Sequence, residues 1–373
     1  MSTFSFSEHS HRRYNPLTDS FVLCSPHRAK RPWQGAEEVV AKNESPSYDS
    51  NCYLCPGNPR ASSGLVNPKY ESTFVFPNDF PAVQMDSPDF QPELDQAEED
   101  GTGSGAAVLK QKLFQVSSVR GKCFVICFSP NHALTLPLMT LDEILQVVDA
   151  WQQLYIETKQ QSTSGEAPFK YLQIFENKGS AMGCSNPHPH GQAWCLDVVP
   201  TEVRHEISNM AKYTEKHGSH LLGDYVQLEL AERKRIVTEN DSFLVVVPFW
   251  ATWPFETLVL AKEHLTSLDE FSLKQKSDLA EVLKRLTTKY DNLFKTSFPY
   301  SMGLHQAPLD AEEDVKRSSW FHMHFYPPLL RSATVKKFLV GFEMLGEAQR
   351  DLTSEQAAAR LAVLDGDVHY TRA

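Results

Sequence analysis

Eight short runs rich in β-branched and aromatic residues punctuate the 373-residue chain, at 21–24, 73–76, 122–128, 171–175, 192–199, 243–249, 257–261 and 320–326. Each is bounded by Pro, Gly, Asn or Asp, the pattern of strands between turns. Only three stretches carry helical periodicity. In 140–160 the apolar positions are Leu141, Ile144, Leu145, Val148, Trp151, Leu154 and Tyr155, behind Thr140 with Glu143 in capping-box position. In 272–294, Ser272 and Gln275 open a second helix whose apolar face is Leu279, Val282, Leu283, Leu286, Tyr290, Leu293 and Phe294. Residues 333–349 are read as a third. Strands grouped around few helices, without β-α alternation, predict an α+β fold with mainly antiparallel sheet. Residues 1–199 and 200–373 share a loose layout of strands, one long helix, then strands ending in a His-x-His. Two fused halves are therefore expected, although no residue-level repeat is visible.

The length allows a sizeable core. No stretch approaches the roughly 20 apolar residues of a membrane helix. The N-terminal residues lack the basic and apolar regions of a signal peptide, so a soluble, cytoplasmic protein without a membrane partner is expected. Seven cysteines, an odd number scattered over a long chain, argue against a disulfide framework and for buried thiols or metal ligands. Of the net charge of −11, seven negatives fall between Asp86 and Asp100 and run into a Gly-Thr-Gly-Ser-Gly stretch at 101–105. The segment 86–107 reads as a mobile surface loop rather than a partner-binding tail. With a pI near 5.7 and no basic stripe studded with aromatics, nucleic acid is excluded as a partner.

Chemistry concentrates in residues 176–192, where a glycine- and serine-rich loop leads into His188 and His190, set between Pro187, Pro189 and Gly191. Glycines let backbone N–H groups approach an anion closely, and an adjacent imidazole can attack phosphorus or ligate a metal. His190 is the candidate nucleophile, with its second ring nitrogen held by an acceptor such as a backbone carbonyl. Asn177, Gly183, Ser185 and Gln192 are the candidate donors to phosphate oxygens, and such preorganised donors are worth roughly 2.7–4 kcal/mol each in oxyanion holes. Gln192 donates hydrogen bonds but gives up no proton. It suits a leaving group already stable as an anion, and so nucleotidyl transfer rather than hydrolysis.

Two clusters have metal-ligand character. Cys52-Tyr-Leu-Cys55 offers two thiols at the spacing of a tetrahedral zinc site, with His132 and His188 as completions. A redox pair or two buried thiols would share this spacing. Gripping His188 would fix the loop that presents His190. In Trp320-Phe-His322-Met-His324-Phe-Tyr326, the two histidines share one strand face while Phe321, Met323 and Phe325 share the other. His305 and Glu206 could complete a structural site for iron or zinc; a hydrogen-bonded polar cavity is the alternative. Arg28, Lys30 and Arg31 stand among prolines beside Trp33, positive charges suited to phosphate or simply solvated. Asn78, Asp79 and Phe80 offer polar groups between aromatic walls for a ribose or base.

Long motifs in order give the whole chain a family likeness: His11 through Thr18, Ser25 through Gly35, Phe175 through Gln192, Trp253 through Leu258, His324 through Val335 and Leu352 through Ala358. The chain resembles the galactose-1-phosphate uridylyltransferases, double-length relatives of the histidine-triad nucleotide-binding proteins. The resemblance implies two fused histidine-triad-like halves and a ping-pong exchange. His190 would take UMP from UDP-glucose and pass it to galactose 1-phosphate, with Gln192 supporting the uridylylated form. It implies Zn²⁺ at Cys52, Cys55, His132 and His188, and a second metal, Fe²⁺ or Zn²⁺, at Glu206, His305, His322 and His324. It places Arg28, Arg31, Asn78, Asp79, Asn177, Gly183 and Ser185 on the nucleotide and its phosphates. Lys337, Phe338, Val340, Phe342, Glu343 and Gln349 would reach the sugar nucleotide across the interface of a homodimer. Two other readings remain at this stage: a phosphorylase or hydrolase of the same superfamily, and a zinc-stabilised nucleotide-binding module.

Overall fold

The computed structural model describes residues 3–30, 46–62, 64–91, 109–110 and 112–373. Arg31 and most of the acidic segment expected to be a mobile loop lie outside the described residues. Strands β1 (His11–Asn15) and β2 (Ser20–Cys24) form an antiparallel hairpin. The other strands of the N-terminal half are β3 (Phe74–Pro77), β4 (Gly121–Cys127), β5 (Tyr171–Lys178) and β6 (His190–Leu196). The C-terminal half supplies β7 (Ile236–Glu239), β8 (Phe243–Val246), β9 (Thr257–Ala261), β10 (Tyr300–His305), β11 (His322–Tyr326) and β12 (Ala348–Arg350). Nine of these make one sheet in the order β3-β4-β6-β5-β10-β11-β9-β8-β7, antiparallel throughout, while β12 adds in parallel to β2. The α+β class and the antiparallel sheet expected from the strand pattern are therefore present.

The two parts of the chain meet where β5 pairs with β10, Asn177 opposite Ser301 and Phe175 opposite Gly303. Because paired residues share a face, the register can be followed across the whole sheet. One row runs Phe76, Val125, Gln192, Phe175, Gly303, His324, Leu258, Val246, Ile236. His190, Gln192, Asn177, His322 and His324 thus all project from the same face.

The opposite face carries the main core. Helices α1 (Leu141–Thr163) and α4 (Leu273–Phe294) lie there, each begun by the capping box read from sequence. Their buried stripes, including Ile144, Val148 and Trp151 on α1 and Leu279, Val282 and Leu286 on α4, pack against Ile126, Ala193, Ile174, Met323 and Phe325 of the sheet. The site-bearing face is covered over its C-terminal part by α2 (Thr201–His217) and α3 (Leu221–Glu232). Met210, Leu222 and Val226 there meet Leu244, Val246 and Leu260. All four residues of β8 are buried, which is why 243–246 reads as an unbroken apolar run rather than an alternating one.

The helical readings need correction in both directions. Residues 333–349 do not form a helix: the segment is extended apart from one helical turn, Phe342–Leu345, and then enters β12. Its apolar residues are not a buried stripe, since Phe338, Val340, Phe342 and Met344 are all exposed. Gly341 precedes the turn at φ 50° and Gly346 follows it. Conversely, the helices Leu221–Glu232 and Ser354–Ala362 were not legible in the sequence, and neither was α2. Its core face carries a carboxylate, Glu206, among only a few apolar residues.

The small sheet is fastened to the large one by buried charge. Arg13 of β1 forks onto Glu355 at 3.0 and 2.9 Å and reaches the Phe249 carbonyl, while Arg235 donates to the same carboxylate at 3.1 Å. Glu355 belongs to α5 (Ser354–Ala362), directly after β12. Burial alone would raise the Glu355 pKa, but the Arg13 hydrogen bonds and charge overrule it and hold it near 2. A depressed folded-state pKa means stability that is full above the unfolded value and lost as pH falls through the folded one. Glu355→Gln should therefore lower stability at neutral pH by about 3 kcal/mol. Urea melts of the two proteins should converge as pH falls from 4.5 towards 2.

Candidate active site and metal clusters

Cys52, Cys55, His132 and His188 converge in the N-terminal half, their ligand atoms all within 4.8 Å of one another and all four residues buried. Cys55 Sγ lies 3.5 Å from Nδ1 of both His132 and His188, and Cys52 Sγ is 3.9 Å from His188 Nδ1. Zinc bonds of about 2.3 Å to sulfur and 2.0 Å to nitrogen give tetrahedral edges of roughly 3.5 Å, so the donor set fits a zinc-sized ion. The surroundings orient it. His188 Nε2–H donates to the Ser129 carbonyl at 2.8 Å, which leaves the Nδ1 lone pair for the cluster. The Leu54 N–H points at Cys52 Sγ at 3.3 Å. Burial lowers His188 to about 4, keeping it neutral, and raises Cys55 to about 11. Two thiolates in such a place need a dication beside them.

The second cluster joins α2 to the centre of the sheet. Glu206 Oε2 sits 2.6 Å from His305 Nδ1 and 3.2 Å from His322 Nε2, while Oε1 is 3.3 Å from His324 Nε2. His322 Nδ1 is held by the Trp320 carbonyl at 2.7 Å and His324 Nδ1 by the Tyr326 hydroxyl at 2.9 Å. His324 Nε2 is buried and makes no hydrogen bond, its approach to Glu206 lacking the geometry of one. Burial lowers His324 to about 4. Burial would raise Glu206, but the His305 and His324 charges and the histidine hydrogen bonds hold it well below the usual carboxylate range. A buried ring nitrogen without a hydrogen-bond partner, among three imidazoles and one carboxylate, fits a cation with nitrogen and oxygen ligands.

His190 opens β6, half-buried, opposite Cys127. Its Nδ1–H donates to the His188 carbonyl at 2.7 Å, so Nε2 carries the free lone pair. The acceptor expected from sequence is thus the backbone of a metal-cluster residue. Burial lowers the pKa of His190, against the opposing carbonyl bond, and favours the neutral ring that a nucleophile needs.

Three amides near this face share one arrangement. Gln192 Oε1 accepts from Trp194 Nε1–H at 3.2 Å, Asn177 Oδ1 from Ser301 Oγ–H at 2.7 Å, and Asn78 Oδ1 from the Phe80 N–H at 2.9 Å. Each oxygen is occupied, and each NH₂ group has no acceptor among the described residues. Free donors with their dipoles fixed are what an electron-rich ligand requires. Between Asn177 and His190 the chain turns through Gly179 at φ 86° and Gly183 at φ 79°. A Cβ on Gly179 would press on Pro299 at 3.2 Å, so the turn admits nothing larger. Ser185 is exposed on this loop. Asn78 lines a cleft of about 290 Å³ with Val83, Gln84 and Phe124, whereas Asp79 is engaged by Arg60 at 2.6 Å and Phe80 is exposed.

The remaining sequence-selected residues gather elsewhere, around the three-stranded sheet. Lys337 bonds Glu343 at 2.8 Å and also reaches the Gln349 carbonyl; Gln349 donates to Asp351 at 2.7 Å; Arg28 lies 3.4 Å from Asp351. Phe338 and Val340 line a cleft of about 320 Å³, and Phe342 is exposed nearby. Among the described residues, none of this group shares a hydrogen bond or ion pair with His190, Gln192 or Asn177.

Sequence reading missed Asn186, Trp194, Ser301, Ser129 and Arg60. Asn186 had a signal, lying inside the 176–192 run: its Oδ1 accepts the His188 N–H at 2.9 Å and its Nδ2 stands 3.6 Å from Cys52 Sγ. Trp194 could have been found as the same-face neighbour of Gln192. Ser129 acts through its backbone, and the other two have no local signature.

One nine-stranded antiparallel sheet with a histidine beside a glycine-bearing turn is an arrangement compatible with nucleotidyl transfer, and it is shared with solved proteins of that class. A solved uridylyltransferase matches with 28% identity and a TM-score of 0.68, covering 95% of this chain and 98% of that one. An ADP-glucose phosphorylase from Arabidopsis thaliana shares the fold at TM-score 0.69 and 21% identity, over 96% and 100%. The profile of the galactose-1-phosphate uridyl transferase N-terminal domain matches residues 2–200, and that of its C-terminal domain residues 206–373. Galactose-1-phosphate uridylyltransferases of Schizosaccharomyces pombe and Saccharomyces cerevisiae are 67% and 60% identical over 367 residues, 98% of each chain. That of Haemophilus influenzae is 53% identical over 98% of this chain and 97% of its own. The chain belongs to the galactose-1-phosphate uridylyltransferase family and is a transferase.

The two clusters are separable by experiment. Elemental analysis of His324→Ala should show loss of metal from the Glu206 cluster with the Cys/His site still loaded, and Cys55→Ala should show the reverse. A variant that retained its full metal complement would exclude its cluster as a metal site.

Proposed function

We propose that the chain exchanges UMP between UDP-glucose and galactose 1-phosphate in two displacements at His190, yielding glucose 1-phosphate and UDP-galactose. The observation that carries this reading is the free Nε2 of His190 beside amides whose NH₂ groups are unsatisfied. In the first step Nε2 attacks the α-phosphorus, the N–P bond forms, and the P–O bond to glucose 1-phosphate breaks. The leaving group departs as an anion and needs no proton, which is why a glutamine at 192 suffices. In the second step a phosphate oxygen of galactose 1-phosphate attacks the same phosphorus and frees the histidine. Throughout, the proton stays on His190 Nδ1, hydrogen-bonded to the His188 carbonyl, and that bond stabilises the charge the ring gains on uridylylation. The amide groups of Asn177 and Gln192, with Ser185 and the Gly183 backbone, donate to the phosphate oxygens, and Asn78, Asp79 and Phe80 take the nucleoside.

Cys52, Cys55, His132 and His188 are assigned to Zn²⁺, and Glu206, His305, His322 and His324 to a structural Fe²⁺ or Zn²⁺. A dication at the first cluster neutralises two buried thiolates and immobilises the His188 carbonyl that orients His190. Residues 1–199 form the half with the nucleophile, and residues 200–373 the half with the second metal and the sugar-contact segment. The protein is cytoplasmic. Seven unpaired cysteines and the absence, among the described residues, of a helix long and apolar enough to cross a membrane support this reading.

Active sites are shared across a homodimer. Arg28, Lys337, Glu343 and Gln349 gather on a different sheet from His190, beside exposed apolar side chains, so a partner's nucleophile is the natural target of this group. Mixing His190→Gly with Lys337→Ala chains under subunit exchange should then restore activity that neither has alone, up to about a quarter of wild type if pairing is random. No recovery in demonstrated mixed dimers would place both groups in one subunit's site.

The chemistry is tested by intact-protein mass after incubation with UDP-glucose while glucose 1-phosphate is removed. A uridylyl adduct absent from His190→Gly and discharged by galactose 1-phosphate is the expected result. Discharge only by water or inorganic phosphate would make the protein a hydrolase or phosphorylase.

A further inference from the structure

Asp79 does not stand free at the nucleoside end of the site. Arg60 Nη2 donates to Asp79 Oδ1 at 2.6 Å and also to the Pro77 carbonyl at 2.5 Å, and the guanidinium lies 4.2 Å from the centre of the Phe76 ring. Both side chains of the ion pair are about nine-tenths buried. Asp79 Oδ2 has no hydrogen-bond partner among the described residues. The backbone on both sides is fixed as well: Asn78 N–H donates to the Cys123 carbonyl at 2.8 Å, and Phe80 N–H to Asn78 Oδ1. Arg60 thus grips three successive features of one segment, the aromatic ring at 76, the carbonyl at 77 and the carboxylate at 79.

Its own backbone is tied down as well. Arg60 N–H donates to the Leu65 carbonyl at 2.9 Å in a small loop closed by Pro59 and Val66. That loop is tied into the cysteine turn. Asn58 Nδ2 donates to the Asp49 and Cys52 carbonyls at 2.9 and 2.8 Å. Asn67 Nδ2 donates to the Tyr53 and Cys55 carbonyls at 2.9 and 3.1 Å. Strand β3, which ends at Pro77, is the edge of the large sheet and pairs only with β4. The segment beyond it therefore takes its position from Arg60 rather than from a second neighbouring strand.

We propose that Arg60 is a positioning residue for the nucleoside. It turns one oxygen of Asp79 inward and leaves Oδ2 as the acceptor for a ribose hydroxyl. The proposal rests on the reading of Asp79 as a nucleotide contact. Because the first half-reaction must bind the nucleoside from solution whereas the second starts with it covalently held, the two half-reactions should respond differently. Arg60→Ala should lower kcat/KM for UDP-glucose by about tenfold or more, the scale on which loss of an orienting partner acts. Discharge of pre-uridylylated enzyme by galactose 1-phosphate should change far less. Since one nitrogen makes both polar contacts, Arg60→Lys should recover much of the loss.

Calorimetric binding of UMP to Arg60→Ala, Asp79→Ala and the double variant, each checked for a native melting transition, decides the matter. The expected result is weakened binding in Asp79→Ala, a comparable weakening in Arg60→Ala, and no further loss in the double variant. If Asp79→Ala binds UMP as wild type does, the nucleotide-contact reading fails and the proposal with it. If Asp79→Ala is weakened but Arg60→Ala is not, that reading stands and the positioning role is overturned. Equal slowing of both half-reactions in Arg60→Ala and Arg60→Lys would make the pair a fold-stabilising contact and would also overturn it.

Discussion

The antiparallel pairing of β5 with β10 is the constraint on which the rest depends. It joins strands from the two parts of the chain into one sheet, and its register sends Gln192, Phe175, Gly303 and His324 along a single row. A slip of one residue would turn every side chain of one part to the opposite face. The Cys/His cluster, the Glu/His cluster and His190 share a face only because this register holds. The same junction places Ser301 against Asn177, which occupies the amide oxygen and frees its NH₂ group.

Strand alternation then separates chemistry from stability within single segments. Asn177 faces the site, while its neighbours Glu176 and Lys178 face the helical layer. Lys178 there meets Asp291 of α4 at 2.8 Å, with both groups buried, and Glu176 bonds the Tyr300 hydroxyl at 3.0 Å. Likewise His190 and Gln192 face the site while Gly191 and Ala193 are buried on the other side. The preorganisation that catalysis requires is thus provided by core packing on the far face of the same strands, together with second contacts such as Ser129 to His188 and His188 to His190.

Much of this was legible in the primary structure, for definite reasons. Capping boxes at Thr140 and Ser272 are local hydrogen-bond patterns, and both formed at the residues expected. His322 and His324 share a face because strand geometry has a period of two. The Cys-x-x-Cys spacing and the Pro-His-Pro-His run restrict their own backbones. Where reading failed, the pattern was diluted or misleading. α2 hides its core face behind the buried Glu206, and 333–349 has apolar residues at helical spacing that serve an exposed surface flanked by glycines.

Local composition and spacing alone determined the strand-rich class, the two long helices, the glycine-bearing loop that leads into His188 and His190, and the types of metal donor. These depend on hydrogen bonds and steric limits within a few residues. Only the tertiary structure decided that Glu206 meets histidines 99 to 118 positions away, that the His190 ring is held by the His188 carbonyl, and that Arg60 claims Asp79. It also gathered the Arg28 and Lys337 group around the small sheet, whereas His190 stands on the large one. Such pairings are fixed by sheet register and buried charge, which minimise free energy over the whole chain and leave no mark on the sequence near either partner.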